Sequence, residues 1–335
     1  MIELSRRGLL AVAIAAASTP LSAWAQARRI TIGANPPGTD YFTVGGGLAK
    51  LFGDKLGVSA IVQPYAGSSV YLPLIENGEV VAGLSSSLDS GGAYLGKQGR
   101  SPMPGLRALM RLWPLIYGYI ARGDSGLKTI ADLKGKRVMT EIKANVALTE
   151  ANAAILATAG LSFADVTRVS VGGLPQGIQA LQDGTLDAAA SAVGIAAVRE
   201  ASAAVPGGLR WLDISGSDAT TTFLEKRLPG TFIYPISPTP LDAAVVQHTN
   251  LMGFDIFLVV SETLKPDLAK AMLGAVWDGW DQLAQDYPPL RRGKREEIGK
   301  ASNTVPYHAA AIEFFREKKI WTDTNDAREK GFKRA

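Results

Sequence analysis

Strand-like and helix-like segments alternate along this 335-residue chain, and glycine or proline separates most of them. The segment RRITIGA is typical of a β-strand, and VGGGLAKLFGDKL is typical of an amphipathic helix. A second strand and helix follow in GVSAIVQPY and SSVYLPLIENG, and EVVAGLSSS predicts a third strand. Because this alternation is typical of parallel strands connected by helices, it predicts an α/β fold with a helix-covered sheet.

A second series of the same kind follows the apolar stretch RALMRLWPLIYGYIARGDSG, in which Pro114 separates two strand-like pieces. This series includes the predicted helix NVALTEANAAILATAG and the predicted strand TLDAAASAVG. Nearer the C-terminus, FDIFLVVSETL predicts a late strand and PDLAKAMLGAVWDGWDQLAQDY a long amphipathic helix. The strand-helix alternation therefore occurs twice along the chain.

The two series lie on either side of residues 117–124, which predicts two lobes joined by extended crossings. We expect each lobe to be a mostly parallel sheet flanked by helices, with a cleft between the lobes. This is the plan of a type II-like periplasmic binding protein. The first lobe is expected to comprise residues 28–118 plus about 240–335, and the second about 119–239.

The first 25 residues have the three parts of a secretory signal peptide. Arg6 and Arg7 form a basic pair typical of the twin-arginine route, and a short apolar core follows. The motif Ala23-Trp24-Ala25 predicts cleavage after Ala25 and hence a periplasmic protein. The alternative is a cytosolic amphipathic N-terminus. Free ATP and NAD(P)H are scarce in the periplasm, which disfavours a cofactor-dependent enzyme.

Composition excludes several kinds of site. The chain has no cysteine and two histidines far apart in sequence, so disulfides and thiolate sites are excluded and a zinc site is disfavoured. Its net charge is +4, and the basic cluster RRGKREE is balanced at once by two glutamates. A solvated surface is therefore expected there rather than a nucleic-acid interface.

The enzyme motifs that this chain approaches are incomplete. GGAYLGKQG matches part of a phosphate-binding P-loop, but Gln98 stands where serine or threonine would reach magnesium. No GxGxxG and no GxSxG motif occurs. We therefore expect neither a cofactor nor catalytic residues, and we expect the protein not to be an enzyme.

Four segments resemble one family in order and spacing: ITIGANPPGTDYFTVGGGLAKLFG, VQPYAGSSVYLPLIENGEVVAGLSSS, GLRALMRLWPLIYGYIARGDSGLKTIADLKGKRV and LQDGTLDAA. The chain resembles the TAXI-type solute receptors of tripartite ATP-independent periplasmic (TRAP) transporters over about residues 30–285. That resemblance implies a small-molecule solute, such as a dicarboxylate or an amino acid, and TRAP-type membrane permease subunits as partners. The alternatives are a periplasmic ligand-sensing module for a membrane kinase and a periplasmic enzyme on the same scaffold.

Two cleft segments of the family pattern differ in this chain. Ser85 to Leu88 stand in place of VQSD, which removes the family's glutamine and acid. The segment TEIKANVAL replaces a glycine-rich anion-binding turn, and Lys143 either restores a positive charge there or points into solvent.

The candidate ligand-binding residues come mostly from the predicted carboxyl ends of strands and the starts of the helices that follow, because these positions converge in a doubly wound sheet. Two simpler roles are also consistent with the sequence: Tyr41 as plain packing, and Asp40, Ser68 or Ser69 as helix caps. The candidates are Thr39, Asp40, Tyr41, Ser68, Ser69, Ser86, Ser87, Trp113, Lys143 and Asn145.

Overall fold

The computed structural model of the protein describes residues 29–97, 99–143, 145–238 and 244–332. The expected signal peptide, with Arg6, Arg7 and the cleavage site after Ala25, lies outside the described residues. In the described part of the chain no helix is both long and apolar enough to cross a bilayer.

The described residues form one mixed sheet of ten strands, with helices packed against it. The strands are β1 Ile30–Ala34, β2 Ala60–Pro64, β3 Ala82–Ser86, β4 Leu106–Arg122, β5 Arg137–Ile142, β6 Thr167–Val171, β7 Ala188–Ala192, β8 Leu209–Trp211, β9 Thr231–Ile236 and β10 Thr249–Ser261. The α-helices are α1 Asp40–Leu56, α2 Ser68–Glu76, α3 Ser87–Tyr94, α4 Val146–Ala157, α5 Leu174–Gln182, α6 Ala196–Ala204, α7 Thr221–Arg227, α8 Pro266–Asp286, α9 Ala309–Glu317 and α10 Asp323–Phe332.

The sheet has the order β2-β1-β3-β10-β4-β7-β5-β6, with β8 paired to β4 and β9 paired to β10. Strands β1, β2 and β3 pair in parallel and form what we term the first half-sheet. Strands β5, β6 and β7 also pair in parallel and form the second half-sheet. We call each half-sheet, together with the segments that pack on it, one half of the molecule. The predicted parallel strands are therefore present in both halves, and antiparallel pairs join them in the middle.

Two long strands connect the half-sheets. β4 and β10 run antiparallel to each other. Tyr117 pairs with Met252 at one end of their ladder, and Leu106 pairs with Ser261 at the other. The later part of β10 pairs with β3, whereas the later part of β4 pairs with β7. Each of the two long strands is therefore shared between the halves.

The sequence prediction was wrong at Pro114, because β4 continues through this residue as one strand. Pro114 lies opposite Asp255 of β10. On the other edge of β4, β7 pairs only from Tyr117 to Ala121. Proline has no N–H for a sheet ladder, so it is tolerated where β7 does not pair with β4.

The C-terminal region packs back onto the first half of the molecule. Helix α8 contacts α1, and Tyr287, which follows α8, lies over Gly47 of α1. A Cβ atom on Gly47 would lie 2.4 Å from the Tyr287 ring, so a glycine is needed for this close approach. The return of the chain thus places α8 and the segment after it against α1.

His308 caps helix α9 in its neutral form. Its Nδ1 accepts a hydrogen bond from the Ala310 N–H at 3.2 Å, and its Nε2 lies 3.1 Å from the Leu264 carbonyl oxygen. Protonation would remove the Nδ1 acceptor, and burial lowers the pKa of His308 below its ordinary value of 6.5.

Lowering the pH through 6.5 should therefore destabilise the protein through this residue. Below that pH the unfolded chain binds a proton that the folded chain resists, so stability falls as the pH falls. Thermal melts between pH 7.5 and pH 5 should show a smaller loss for His308→Asn, which keeps a capping side chain but does not titrate. Equal losses in the two proteins would contradict this assignment.

Candidate ligand-binding cleft

A cleft of about 440 Å³ lies between the two halves of the molecule. The first half contributes the turn after β1, the start of α2 and one side of α3. The second half contributes the connection from β5 to α4 and the start of α5. The volume of the cleft lies within the usual range of small-ligand sites, which is about 300–1,000 Å³.

Five of the ten predicted residues line this cleft. They are Thr39, Ser68, Ser69, Lys143 and Asn145. Three of these residues belong to the first half and two to the second, and each lies between the end of a strand and the first turn of a helix. The structure therefore brings these five together from both sides of the cleft.

The aromatic candidates are buried beneath the cleft. Trp113 is fully buried, and Tyr41 packs edge-on against it with the ring centroids 6.0 Å apart. Burial raises the pKa of the Tyr41 hydroxyl well above its ordinary value of 10.0. Tyr41 was considered either as a ligand contact or as a packing residue, and in the structure it is a packing residue.

Three polar candidates do not line the cleft either. Ser86 caps α3, and Ser87 is buried with its hydroxyl donating to the Gly230 carbonyl at 3.1 Å. Asp40 is exposed in the first turn of α1. The interpretation of Asp40 as a possible N-cap was wrong, because Thr39 occupies that position and accepts a hydrogen bond from Phe42 N–H.

Asp89 is an acidic residue of the cleft that the sequence interpretation missed. The acid of the TAXI-type pattern aligns with Leu88, and Asp89 is the next residue along the chain. Ser86 donates to its carboxylate at 2.9 Å, and its own N–H donates to Ser86 at 3.0 Å. Burial raises the pKa of Asp89, while the Ser86 hydrogen bond and the positive charge of Arg100 oppose this rise. The pattern Ser86-x-x-Asp89, which resembles a capping box, was a signal for a helix start here.

Asn35 and Arg100 also line the cleft and were not predicted. Asn35 follows β1 directly, and its side-chain oxygen is buried without a hydrogen-bond partner in the described residues. Arg100 lies in the connection between α3 and β4 and is half-buried. A ligand or water in the cleft would give Asn35 the partner that a buried polar atom needs.

Four helices begin at the cleft, and two of them lack a capping side chain. Thr39 caps α1, and the Asn145 side chain accepts from Leu148 N–H at 3.3 Å at the start of α4. Helices α2 and α5 begin after Gly67 and Gly173, and neither makes a side-chain cap. Backbone N–H groups in the first turn of a helix have no partner within it and favour anions.

The charged side chains around the cleft add to this preference. Lys143 and Arg100 are positive, and Asp89 is the negative side chain among the described lining residues. In the described part of the chain no group of three or more histidine, aspartate or glutamate side chains is placed to hold a metal ion. The cleft as described suits an organic ligand that carries acceptor atoms.

A family model covers most of the described chain. Residues 32–318 match the model of the NMT1-like family. The chain belongs to the NMT1-like family.

Two solved structures resemble this NMT1-like protein over nearly its whole length. MatC from Rhodopseudomonas palustris, solved with bound malate, is 14% identical, with a TM-score of 0.52 and coverage of 91% of this chain and 99% of MatC. A TctC solute-binding protein from Polaromonas, solved without ligand, is 16% identical, with a TM-score of 0.51 and coverage of 91% and 97%. At these identities the likeness shows the fold, which confirms the predicted two-lobed α/β architecture of periplasmic binding proteins.

Proposed function

We propose that this NMT1-like protein is an extracytoplasmic receptor that captures a small polar solute bearing a carboxylate. The observation that carries this proposal is the pair of uncapped helix N-termini, α2 from one half and α5 from the other, in the same cleft as Lys143 and Arg100. Positive helix ends and cations on both sides favour an anionic group held between the lobes.

The roles of the lining residues follow from their positions. The backbone N–H groups at the start of α2 and the Ser69 hydroxyl would hold the carboxylate, while the Ser68 hydroxyl bonds the Asp89 carboxylate. Lys143 would neutralise a negative group from the opposite side, and the Asn145 amide would donate further hydrogen bonds. The Thr39 hydroxyl already donates to the Pro36 carbonyl at 2.7 Å, so Thr39 would shape the wall of the cleft. Asp89 and Asn35 are acceptors, so they would bind a donor group of the same solute. A dicarboxylate and an amino acid both remain in keeping with this arrangement.

We further propose that the protein delivers its solute to a TRAP-type membrane permease, as the TAXI-type sequence resemblance implies. Export with cleavage after Ala25 belongs to the same proposal. The lobes would comprise residues 28–118 with about 240–335, and about 119–239. The intact mass of protein recovered from the periplasm tests the export step, and an uncleaved cytoplasmic chain would contradict it.

The solute that co-purifies with the protein tests the ligand assignment directly. Mass spectrometry of small molecules released from the purified, denatured protein should find an organic acid, and calorimetry with that compound should give saturable binding. Release of a neutral or purely cationic compound that binds tightly would overturn the carboxylate assignment. Turnover of the released compound by the native protein would favour an enzyme instead.

Solute binding should also make the molecule more compact. The two proposed lobes are joined by the β4–β10 pair, which permits them to move as rigid bodies around a ligand. Small-angle X-ray scattering should give a smaller radius of gyration at saturating solute than in its absence. A radius that stays the same at saturation would argue against closure but would leave the ligand assignment intact.

A further inference from the structure

A second cavity of about 390 Å³ lies on the other side of α3 from Asp89. Leu88, Gly91 and Leu95 line it at helical spacing, so one face of this segment is turned toward the cavity. The opposite wall comes from the second half of the molecule, through Glu150 of α4 and Leu228 after α7. The segment around α3 thus separates two cavities, and this one belongs to no site described above.

The walls of the second cavity are mainly apolar. Tyr94 and Phe332 contribute two aromatic rings that pack edge-on, with centroids 5.9 Å apart. Leu95 is 49% exposed, which is unusual for a large apolar side chain beside other apolar surface. An occupant with a hydrocarbon body would remove this surface from water.

One charge on the rim of the cavity favours a negative end on the occupant. Arg328 lines the cavity from the first half, but it forms an ion pair with Glu225 at 3.0 Å, which offsets its charge. Lys97 lies on the same side as Arg328, and Glu150 lies on the opposite wall. Lys97 is exposed and makes no ion pair with the described residues, so its charge is available to a ligand.

We propose that this cavity is a second ligand site, which binds a small apolar carboxylate. The hydrocarbon body contacts Leu88, Leu95 and Phe332, and the carboxylate lies toward Lys97. Both cavities would take an acid, but their walls differ: polar side chains and helix starts form a larger share of the wall in the solute cleft than in the second cavity. The second site therefore favours apolar bulk more strongly than the first.

Octanoate is a suitable probe for this site, with octylammonium as its counterpart of opposite charge. Calorimetry on the mature protein should show saturable octanoate binding and at least about tenfold weaker octylammonium binding, because opposite charges attract and like charges repel across the mouth of the site. Lys97→Ala should weaken octanoate binding about threefold, and Glu150→Gln should strengthen it about twofold, which are typical effects of exposed charges.

Leu95→Asp and Leu95→Asn form a matched pair of variants for the apolar wall. Both remove the leucine contact at an exposed position, so both should fold, but only aspartate adds a charge that repels the ligand. We expect octanoate binding to weaken at least about tenfold more with Leu95→Asp than with Leu95→Asn.

Ser69→Asp serves as the control for the other cleft, and it should leave octanoate binding unchanged. Three results would overturn the proposal: no saturable octanoate binding, stronger binding of octylammonium, or loss of octanoate binding in Ser69→Asp, which would place the fatty acid in the solute cleft. The last two results would leave the proposed solute receptor function untouched, because that function is tested with the released solute.

Discussion

Asp255→Asn should lower the free energy of unfolding by about 3 kcal/mol or more, because it leaves the buried charge of Arg111 without its principal partner. Asp255 and Arg111 are both almost completely buried, and their side chains approach to 2.7 Å between Oδ1 and Nε. Ser302 donates a hydrogen bond to the other carboxylate oxygen of Asp255. Glu297 also contacts Arg111 at 2.8 Å, but it is partly exposed and offsets only part of the loss.

The measurement is a thermal melt of Asp255→Asn beside a matched surface variant. Glu262→Gln breaks the Arg107–Glu262 pair, in which the carboxylate is 52% exposed, so it should cost less than about 1 kcal/mol. The double variant Arg111→Met/Asp255→Leu should recover part of the loss, because it replaces both buried charged side chains with apolar ones. Similar melting temperatures for Asp255→Asn and Glu262→Gln would contradict the importance of the buried pair.

Ser69→Asp should weaken binding of the released solute by about 100-fold while the protein stays folded. The new carboxylate would lie in the first turn of α2, where the proposed function places a carboxylate of the ligand. Two negative groups at one site repel each other, and such juxtaposition costs several kcal/mol when water is excluded. The same aspartate should stabilise the helix by about 0.3–1 kcal/mol through the helix dipole.

Ser69→Asn provides the control for this variant, since it has nearly the same size and no charge. Its binding of the solute should stay within several-fold of the wild type, as expected for the loss of one neutral hydrogen bond, about 0.5–1.5 kcal/mol. Calorimetry with the solute and a thermal melt of each variant measure the two effects. If Ser69→Asp binds the solute as tightly as Ser69→Asn, the anionic group does not lie at the start of α2.

The sequence predicted a strand or helix correctly where hydrophobic periodicity and the flanking glycine or proline residues indicated the same element. The strand at Ile30–Ala34 and the helix at Pro266–Asp286 were both predicted in this way. Helix α3 was not predicted, because its glycines make the segment resemble a loop. Gly91 lies inside this helix, and a Cβ atom there would meet the Thr304 side chain at 2.7 Å. The glycine therefore serves tertiary packing, which local sequence does not reveal.

The cleft-lining residues that the sequence predicted are those for which the end of a strand determines where the next residues lie. Lys143 and Asn145 follow the end of β5, and the topology brings them to the cleft. Ser86 and Ser87 also follow a strand, but the start of α3 turns their hydroxyls toward Asp89 and Gly230. Asp89 was missed for the same reason, since the face on which it lies is defined only once α3 is recognised as a helix.

The sharing of β4 and β10 between the half-sheets limits how such a protein can be divided into modules. A fragment cut at the middle of β4 would lose residues 106–116 from the strand that continues through Tyr117. It would also need the Thr249–Phe254 part of β10, which comes from a distant part of the chain and pairs with β9. Exchange of one binding half between relatives therefore requires at least two separate segments and both junctions within paired strands. Recombination is thus expected to preserve the β4–β10 pair as a unit and to vary the loops at the cleft.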